Sequence, residues 1–305
     1  MFDGFSFSVI GASHETSGLV CQDYSSFEVN EYYSVAAIAD GHGSKKYFRS
    51  HLGSQFAVEA AFETVRHFYE NPEHFEQNFP ANHKLILKNM KKQIIANWNK
   101  RVQEHLEKNP VRLAETQKFT KEEFKEIPKE SYYGTTLIVA VCGRGFQFGL
   151  QIGDGSLVAI FDDGVPVMPM IYDESAPANM TASMCNRNAV AMFNSFYVEN
   201  KKMLAMFASS DGLYTSFSNE DDFLEYHLII SSQLDNLDAF SQAVKKNLTK
   251  RSHFGTEDDI SLACICDREQ LNDHVGLLKG KVEDLKANAA ERRAARIAAM
   301  KNTET

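Results

Sequence analysis

The sequence predicts an α+β fold, with strands and helices in separate blocks. Three observations predict it. Strand-length apolar or alternating runs cluster near the start, the middle and the end of the chain. Two long stretches of helical periodicity separate the first cluster from the second, and two more precede the final strand.

The elements follow in order. Phe5-Ser6-Phe7-Ser8-Val9-Ile10 alternates apolar residues with Ser, as a half-exposed strand does. A small polar loop, Gly11 to Gly18, leads through Cys21-Gln22-Asp23 into a second strand. A third, Tyr33 to Ala39, is apolar throughout and runs into Asp40-Gly41-His42-Gly43. The short connections predict one meander for these three strands.

Phe48, Leu52, Phe56, Phe62, Val65 and Phe68 recur at helical intervals, which predicts a helix over about 45–69 that Asn71-Pro72 stops. A second helix is expected from Leu85 to Leu106, with Trp98 in the core. Lys84, Lys88, Lys91, Lys92, Lys100 and Arg101 read as its solvated face. Residues 109–130 are charged and weakly periodic, a surface excursion.

Gly134 to Val141 is β-branched and apolar, the pattern of a strand buried on both faces. Phe146 to Ile152 and Leu157 to Phe161 follow, and Asp162-Asp163-Gly164 turns the chain into Val165-Pro166-Val167. The poorly periodic 171–200 segment reads as a mobile flap. Met203 to Ala208 is a strand, helical spacing returns around Phe223 to Ile229 and Leu237 to Leu248, and Ile260 to Cys266 closes the block as a last strand.

A chain of 305 residues can bury a sizeable core. Its formal net charge of -9 argues against nucleic acid or an anionic membrane as the main partner. From Arg268 onward eight Lys/Arg face six Asp/Glu, so the body before it carries about -11. The five cysteines have neither disulfide-framework nor zinc spacing, and Cys264 and Cys266 share one face of an apolar strand. With no leader pattern and no apolar run near the roughly 20 residues of a membrane span, a soluble, reducing, cytoplasmic setting is expected.

Asp40-Gly41-His42-Gly43 alone reads equally well as a Gly-rich turn or as a site. Asp154, Asp211 and Asp258 also stand at strand boundaries, and turns explain four such aspartates less well than one. Oxygen ligands, with His42 the one nearby nitrogen, suit Mg²⁺ or Mn²⁺ rather than zinc. Two such ions roughly 3.5–4 Å apart activate water and stabilise charge on a phosphoryl group.

The motifs C-Q-D-Y, A-D-G-H-G, Y-G-T-T, I-G-D-G, S-S-D-G-L and E-D-D-I-S, in this order, resemble the protein phosphatase 2C family of metal-dependent protein Ser/Thr phosphatases, in a divergent, bacterial-type form. The resemblance implies a four-layer α-β-β-α sandwich of two antiparallel sheets flanked by helix pairs. It also implies hydrolysis of phosphoserine or phosphothreonine in proteins by a hydroxide bridging two Mn²⁺ or Mg²⁺ ions. Carried over, Asp40 bridges the metals, the Gly41 carbonyl binds one, and Asp211 and Asp258 complete the other site. Asp258 is preferred to Asp259, which falls where the family has Asn. Asp23 holds metal-bound water, His42 is the general acid, and Asp154 with Asp211 holds a third ion.

The chain departs from the family pattern at three points. Gln22 stands for the usual Glu, Gly18 falls where many members have a phosphate-binding Arg, and Thr215 replaces an acidic ligand. His14 and Arg49 are the candidates to bind phosphate instead. The alternative reading is a weakly active or non-catalytic phosphoprotein-binding member of the same fold. A phosphoprotein substrate and a cognate Ser/Thr kinase are the implied partners, and the 83–130 and 171–200 segments are the expected selectivity surfaces.

Residues 1–267 are expected to form the phosphatase 2C-like catalytic domain and 268–305 a C-terminal helical tail. In that tail Leu271, Val275, Leu278, Val282 and Leu285 recur at heptad-like intervals. Packing on the domain and self-association through this helix both fit that stripe.

Overall fold

The computed structural model describes residues 1–170 and 182–303, with the backbone alone at 238, 239 and 292–303. The strands are β1 (Phe2–Val9), β2 (Tyr24–Val29), β3 (Tyr33–Ala39), β4 (Leu137–Gly143), β5 (Phe146–Ile152), β6 (Ser156–Phe161), β7 (Pro166–Val167), β8 (Asn194–Glu199), β9 (Met203–Ser209) and β10 (Ile260–Asp267). The longer helices are α2 (Ser50–Phe68), α3 (Pro72–Lys108), α8 (Glu220–Ser231), α9 (Leu237–Arg251) and α10 (Arg268–Thr303). Short helices fill the connections: α1 (Ala12–Ser17), α4 (Leu113–Thr116), α5 (Lys121–Glu126), α6 (Ala189–Met192) and α7 (Asp211–Tyr214).

Alternation along the strands decides the layers, because neighbouring side chains point to opposite faces. In β3, Ala36 and Ile38 face inward with Ile138, Ala140, Leu157, Met206, Ala208, Ala263 and Ile265, which fill the space between two sheets. Val35, Ala37 and Ala39 face outward onto α2 and α3, where Trp98, Phe79, Met90 and Ile94 are fully buried. On the opposite side Val158, Phe207, Leu262, Cys264 and Cys266 pack against residues of α8, α9 and α10. The result is an α-β-β-α sandwich. One antiparallel sheet has the order β1-β10-β9-β6-β7 and the other β2-β3-β4-β5-β8.

The expected three-strand meander does not form. β2 and β3 pair with each other, but β1 pairs along its whole length with β10 in the other sheet, from Phe2 opposite Asp267 to Val9 opposite Ile260. The loop after β1, with α1 in it, gives the chain room to cross between sheets, and buried β10 offers β1 an apolar ladder.

The second long helix begins at Pro72 rather than near Leu85. The Asn71 side chain accepts the His74 amide at 3.1 Å and Pro72 occupies the first turn, so the dipeptide that ends one helix also caps the next. Phe75 and Phe79, one turn apart, then extend the apolar stripe backwards past Pro80. Of the expected flap, 194–199 is the edge strand β8 and 189–192 the helix α6. Residues 171–181 of that flap lie outside the described residues.

The tail starts as helix α10 at Arg268, as expected, but its first half is not free. Leu271, Leu278 and Val282 are buried in the outer apolar layer and Leu285 packs beside them, so these heptad positions are spent on the domain itself. Among the described residues no helix is long and apolar enough to cross a membrane.

Leu278 is fully buried. Leu278→Ala is therefore expected to destabilise the whole protein by about 2–5 kcal/mol, read from chemical denaturation. Independent behaviour of α10 predicts no such loss. His227, also fully buried, donates through Nδ1 to the Phe223 carbonyl at 2.7 Å and packs edge-on against Phe207 and Phe223. Burial pushes its pKa from 6.5 down to about 4. The folded protein thus keeps it neutral while the unfolded chain takes up a proton, so its contribution is complete above pH 6.5 and declines as the pH falls towards 4. Replacing His227 by Leu is expected to flatten the melting temperature over that pH range relative to the parent.

Candidate active site

The ends of the two sheets meet in a cleft of about 570 Å³. Asp40, Gly41 and His42 enter it from the end of β3, Asp154 from the β5–β6 turn, Asp211 from the start of α7 and Asp258 from just before β10. His14 also lines it. Aspartates spread over more than two hundred residues of sequence, Asp259 beside Asp258 included, thus share one cavity because their strands end at the same edge of the sandwich.

Asp40 is held by its backbone from both sides. Its amide donates to Thr136 Oγ1 at 3.0 Å, and its carbonyl accepts from Thr135 Oγ1 at 2.8 Å and from the Thr136 amide at 2.9 Å. The Gly41 amide donates to the Gln22 carbonyl at 3.2 Å and the His42 amide to the Gly134 carbonyl at 3.1 Å. A Cβ at Gly41 would come within 2.6 Å of the Gln22 carbonyl oxygen, so only glycine lets these segments meet. A Cβ at Gly134 would run into the Tyr47 ring, which lies 4.7 Å from the His42 ring between centroids. The Y-G-T-T motif is therefore the brace of the D-G-H turn.

The electrostatics are those of a crowded acidic site. Burial, then the charges of Asp23 and Asp211, hold the Asp40 carboxyl well above the usual carboxylate range. Asp40 and Asp211 lie within hydrogen-bond reach of each other, and Asp211 is itself pushed up by burial and then by Asp154. Asp23 is raised by burial and then by Asp259, against the opposing pull of Ser210 and Ser261, and its Oδ2 is buried with no partner. Burial lowers the His42 pKa, against the opposing pull of Asp154.

This donor set fits divalent cations. Like charges drawn together at the edge of an apolar core are mutually costly, and an oxygen-preferring cation offsets the repulsion. Among the described residues no three of these side chains already stand in closed coordination geometry. The fit thus rests on the chemistry and convergence of the oxygens.

Two expected site residues lie elsewhere. Asp23 is buried behind the cleft rather than lining it. Arg49 is not a phosphate ligand in this arrangement. Its guanidinium is buried and bonds Glu115 through both Nε and Nη2 (2.8 and 2.9 Å), the Asn109 and Pro110 carbonyls, and Tyr133 Oη. All five of its N–H donors are engaged, four in clamping the 109–115 segment to the start of α2 and one on Tyr133.

Two other residues escaped the sequence reading. Asp259 was set aside in favour of Asp258, yet its carboxylate ties the site together. Oδ1 accepts the Gly11 amide at 2.6 Å, and Oδ2 accepts the Gln22 amide at 2.6 Å and faces His14 Nδ1 at 3.0 Å. With both oxygens so engaged, Asp259 positions the loops while Asp258 remains exposed in the cleft. Lys46, beside the D-G-H turn, also lines the cleft. Its place directly after that motif was the available signal, but lysine near a turn is ordinary surface composition.

A family model described as protein phosphatase 2C matches residues 10–250, and the chain belongs to that family. No curated protein matches the sequence at a significant level. In fold the chain is similar to a bacterial serine phosphatase, with a TM-score of 0.52 at 13% identity over 87% of this chain and 98% of that one. It is also similar to the serine/threonine phosphatase Stp1 from Staphylococcus aureus, with a TM-score of 0.52 at 14% identity over 88% of this chain and 95% of that one.

Because the carboxylates repel one another, Asp40→Asn is expected to raise the stability of the protein in chelator by about 1–2 kcal/mol. The same variant is expected to lose most of the increase in melting temperature that Mn²⁺ gives the parent. Differential scanning calorimetry with and without the ion reads both effects.

Proposed function

We propose that this protein hydrolyses phosphoserine and phosphothreonine in proteins, using two Mn²⁺ or Mg²⁺ ions held by Asp40, the Gly41 carbonyl, Asp211 and Asp258. The observation that carries the reading is the convergence of Asp40, Asp154, Asp211 and Asp258 with His42 on one cleft in a member of the protein phosphatase 2C family. Bound there, the cations would supply an activated water and offset charge on the phosphoryl group. Asp154 with Asp211 leaves a place for a third ion.

The chain's own residues do the rest. Asp40, fixed through Thr135 and Thr136, sets the position of the ligand oxygens. Asp23, behind it, orients water from the buried side. Lys46 supplies positive charge to the phosphoryl oxygens and the His14 ring a hydrogen-bonding group, the part Arg49 cannot play. His42, against Tyr47 and near Asp154, gives a proton to the leaving seryl or threonyl oxygen. Phosphoproteins are the substrate class that family membership supports, and a Ser/Thr kinase acting on the same proteins is the corresponding partner.

The withdrawal of Arg49 favours one second reading, a weakly active phosphoprotein-binding member. Mn²⁺-dependent turnover decides between them: hydrolysis of p-nitrophenyl phosphate or a phosphopeptide supports the enzyme, and none by protein that binds the metal overturns it. The proton donor has its own signature. His42→Gln is expected to lower kcat on a phosphoserine peptide by about 100-fold, but much less on p-nitrophenyl phosphate, whose leaving group needs no proton. Equal losses on both substrates exclude the acid role.

A further inference from the structure

Beside the acidic cleft lies a second and larger concavity of about 1300 Å³, between α3 and the segment that runs through α6 into β8. Lys84, Lys88 and Lys91 recur on α3 at the spacing that puts them on one helix face, and all three line it. Arg187 faces them from the other wall, and Glu130 is the one acidic side chain on the lining among the described residues. Between the charges the floor is apolar, with Leu87 and Phe196 buried in it. Lys91 Nζ donates to the Phe193 carbonyl and to Ser195 Oγ, both at 3.0 Å, which ties the two walls together. Lys84, Lys88 and Arg187 are exposed and face the opening.

This groove adjoins the cleft through a shared wall. Asn186 lines both cavities. Ser183 Oγ and the Met184 amide donate to the Thr135 carbonyl at 3.1 and 2.8 Å, and Thr135 is one of the two threonines that brace Asp40. A chain with its reacting residue in the cleft therefore meets the groove next.

The charges of the two cavities are opposite. The cleft is lined by carboxylates and repels acidic side chains, whereas among the described residues the groove sets four basic side chains against one acid in a protein of formal net charge -9. We propose that the groove binds an acidic stretch of the phosphoprotein substrate, set apart in sequence from the phosphorylated residue. Resting on the phosphatase reading, this assigns the substrate class: phosphoproteins with Asp/Glu-rich flanks. The Lys/Arg pairings select it over basic competitors.

The test uses the full chain and two fluorescein-labelled unphosphorylated peptides of equal length, one with an Asp/Glu-rich flank and one with a Lys-rich flank. Fluorescence anisotropy is expected to give tighter binding of the acidic peptide, weakening as salt is raised. The double variant Lys84→Glu/Lys88→Glu is expected to lose about tenfold in affinity for the acidic peptide and to gain affinity for the basic one. Arg187→Glu, on the other wall, gives an independent second variant with the same expected direction, and circular dichroism melts verify that each is folded. Equal affinity of the parent for both peptides, unchanged preference in both variants, or a groove filled by a second copy as read from mass in solution overturns the proposal. Hydrolysis of p-nitrophenyl phosphate by the parent reads the phosphatase reaction separately, so a failure there leaves the anisotropy result standing.

Discussion

Like-charge crowding at the edge of an apolar sandwich is the constraint on which the rest of this structure depends. Asp40, Asp154, Asp211 and Asp258 line one cleft with Asp23 buried behind it, and burial and mutual repulsion both hold Asp40 and Asp211 away from their ordinary ionisation. Such an arrangement persists only where the surrounding fold over-determines it. Here two five-stranded sheets, closed by helices on both outer faces, provide that rigidity.

The bracing is carried largely by uncharged or secondary residues. Thr135 and Thr136 grip the Asp40 peptide unit, and the Gln22 and Gly134 carbonyls hold Gly41 and His42. Asp259 gathers Gly11, Gln22 and His14 around one buried carboxylate. Function therefore divides between residues that present oxygen to the cleft and residues that fix where those oxygens are. Thr135 also holds the wall shared with the neighbouring basic groove, which couples the geometry of the reacting centre to the surface that would choose its substrates.

The placement of the 109–130 excursion follows from the same constraint on charge. Arg49 follows the turn after β3, but its guanidinium is committed to Glu115 and Tyr133 rather than to the cleft. Glu115, pushed down to about 2 chiefly by its hydrogen bonds with Arg49, stays ionised and fixes the excursion against α2. The positive charge left in the cleft comes from Lys46.

Much of this was legible in the sequence because local patterns encode it. Strand runs ending in Asp-Gly, two long apolar helical stripes and the ordered motifs point to the sandwich, to the family and to Asp40, Gly41, His42, Asp154, Asp211 and Asp258 as neighbours. Periodicity also made α10 a helix. What it could not give was pairing across distance. That β1 lies on β10 rather than on β2, that Leu278 faces its own domain, and that Asp259 is an anchor all follow from contacts between residues far apart in the chain. Arg49 and Lys88 make the point sharply. Each is a basic residue on a helix or at its start, and nothing local distinguishes them. Only the packed structure decides that one guanidinium is fully engaged in a buried clamp while the other side chain lines a groove beside the active-site cleft, because a side chain's partners are set by tertiary packing and not by its neighbours in sequence.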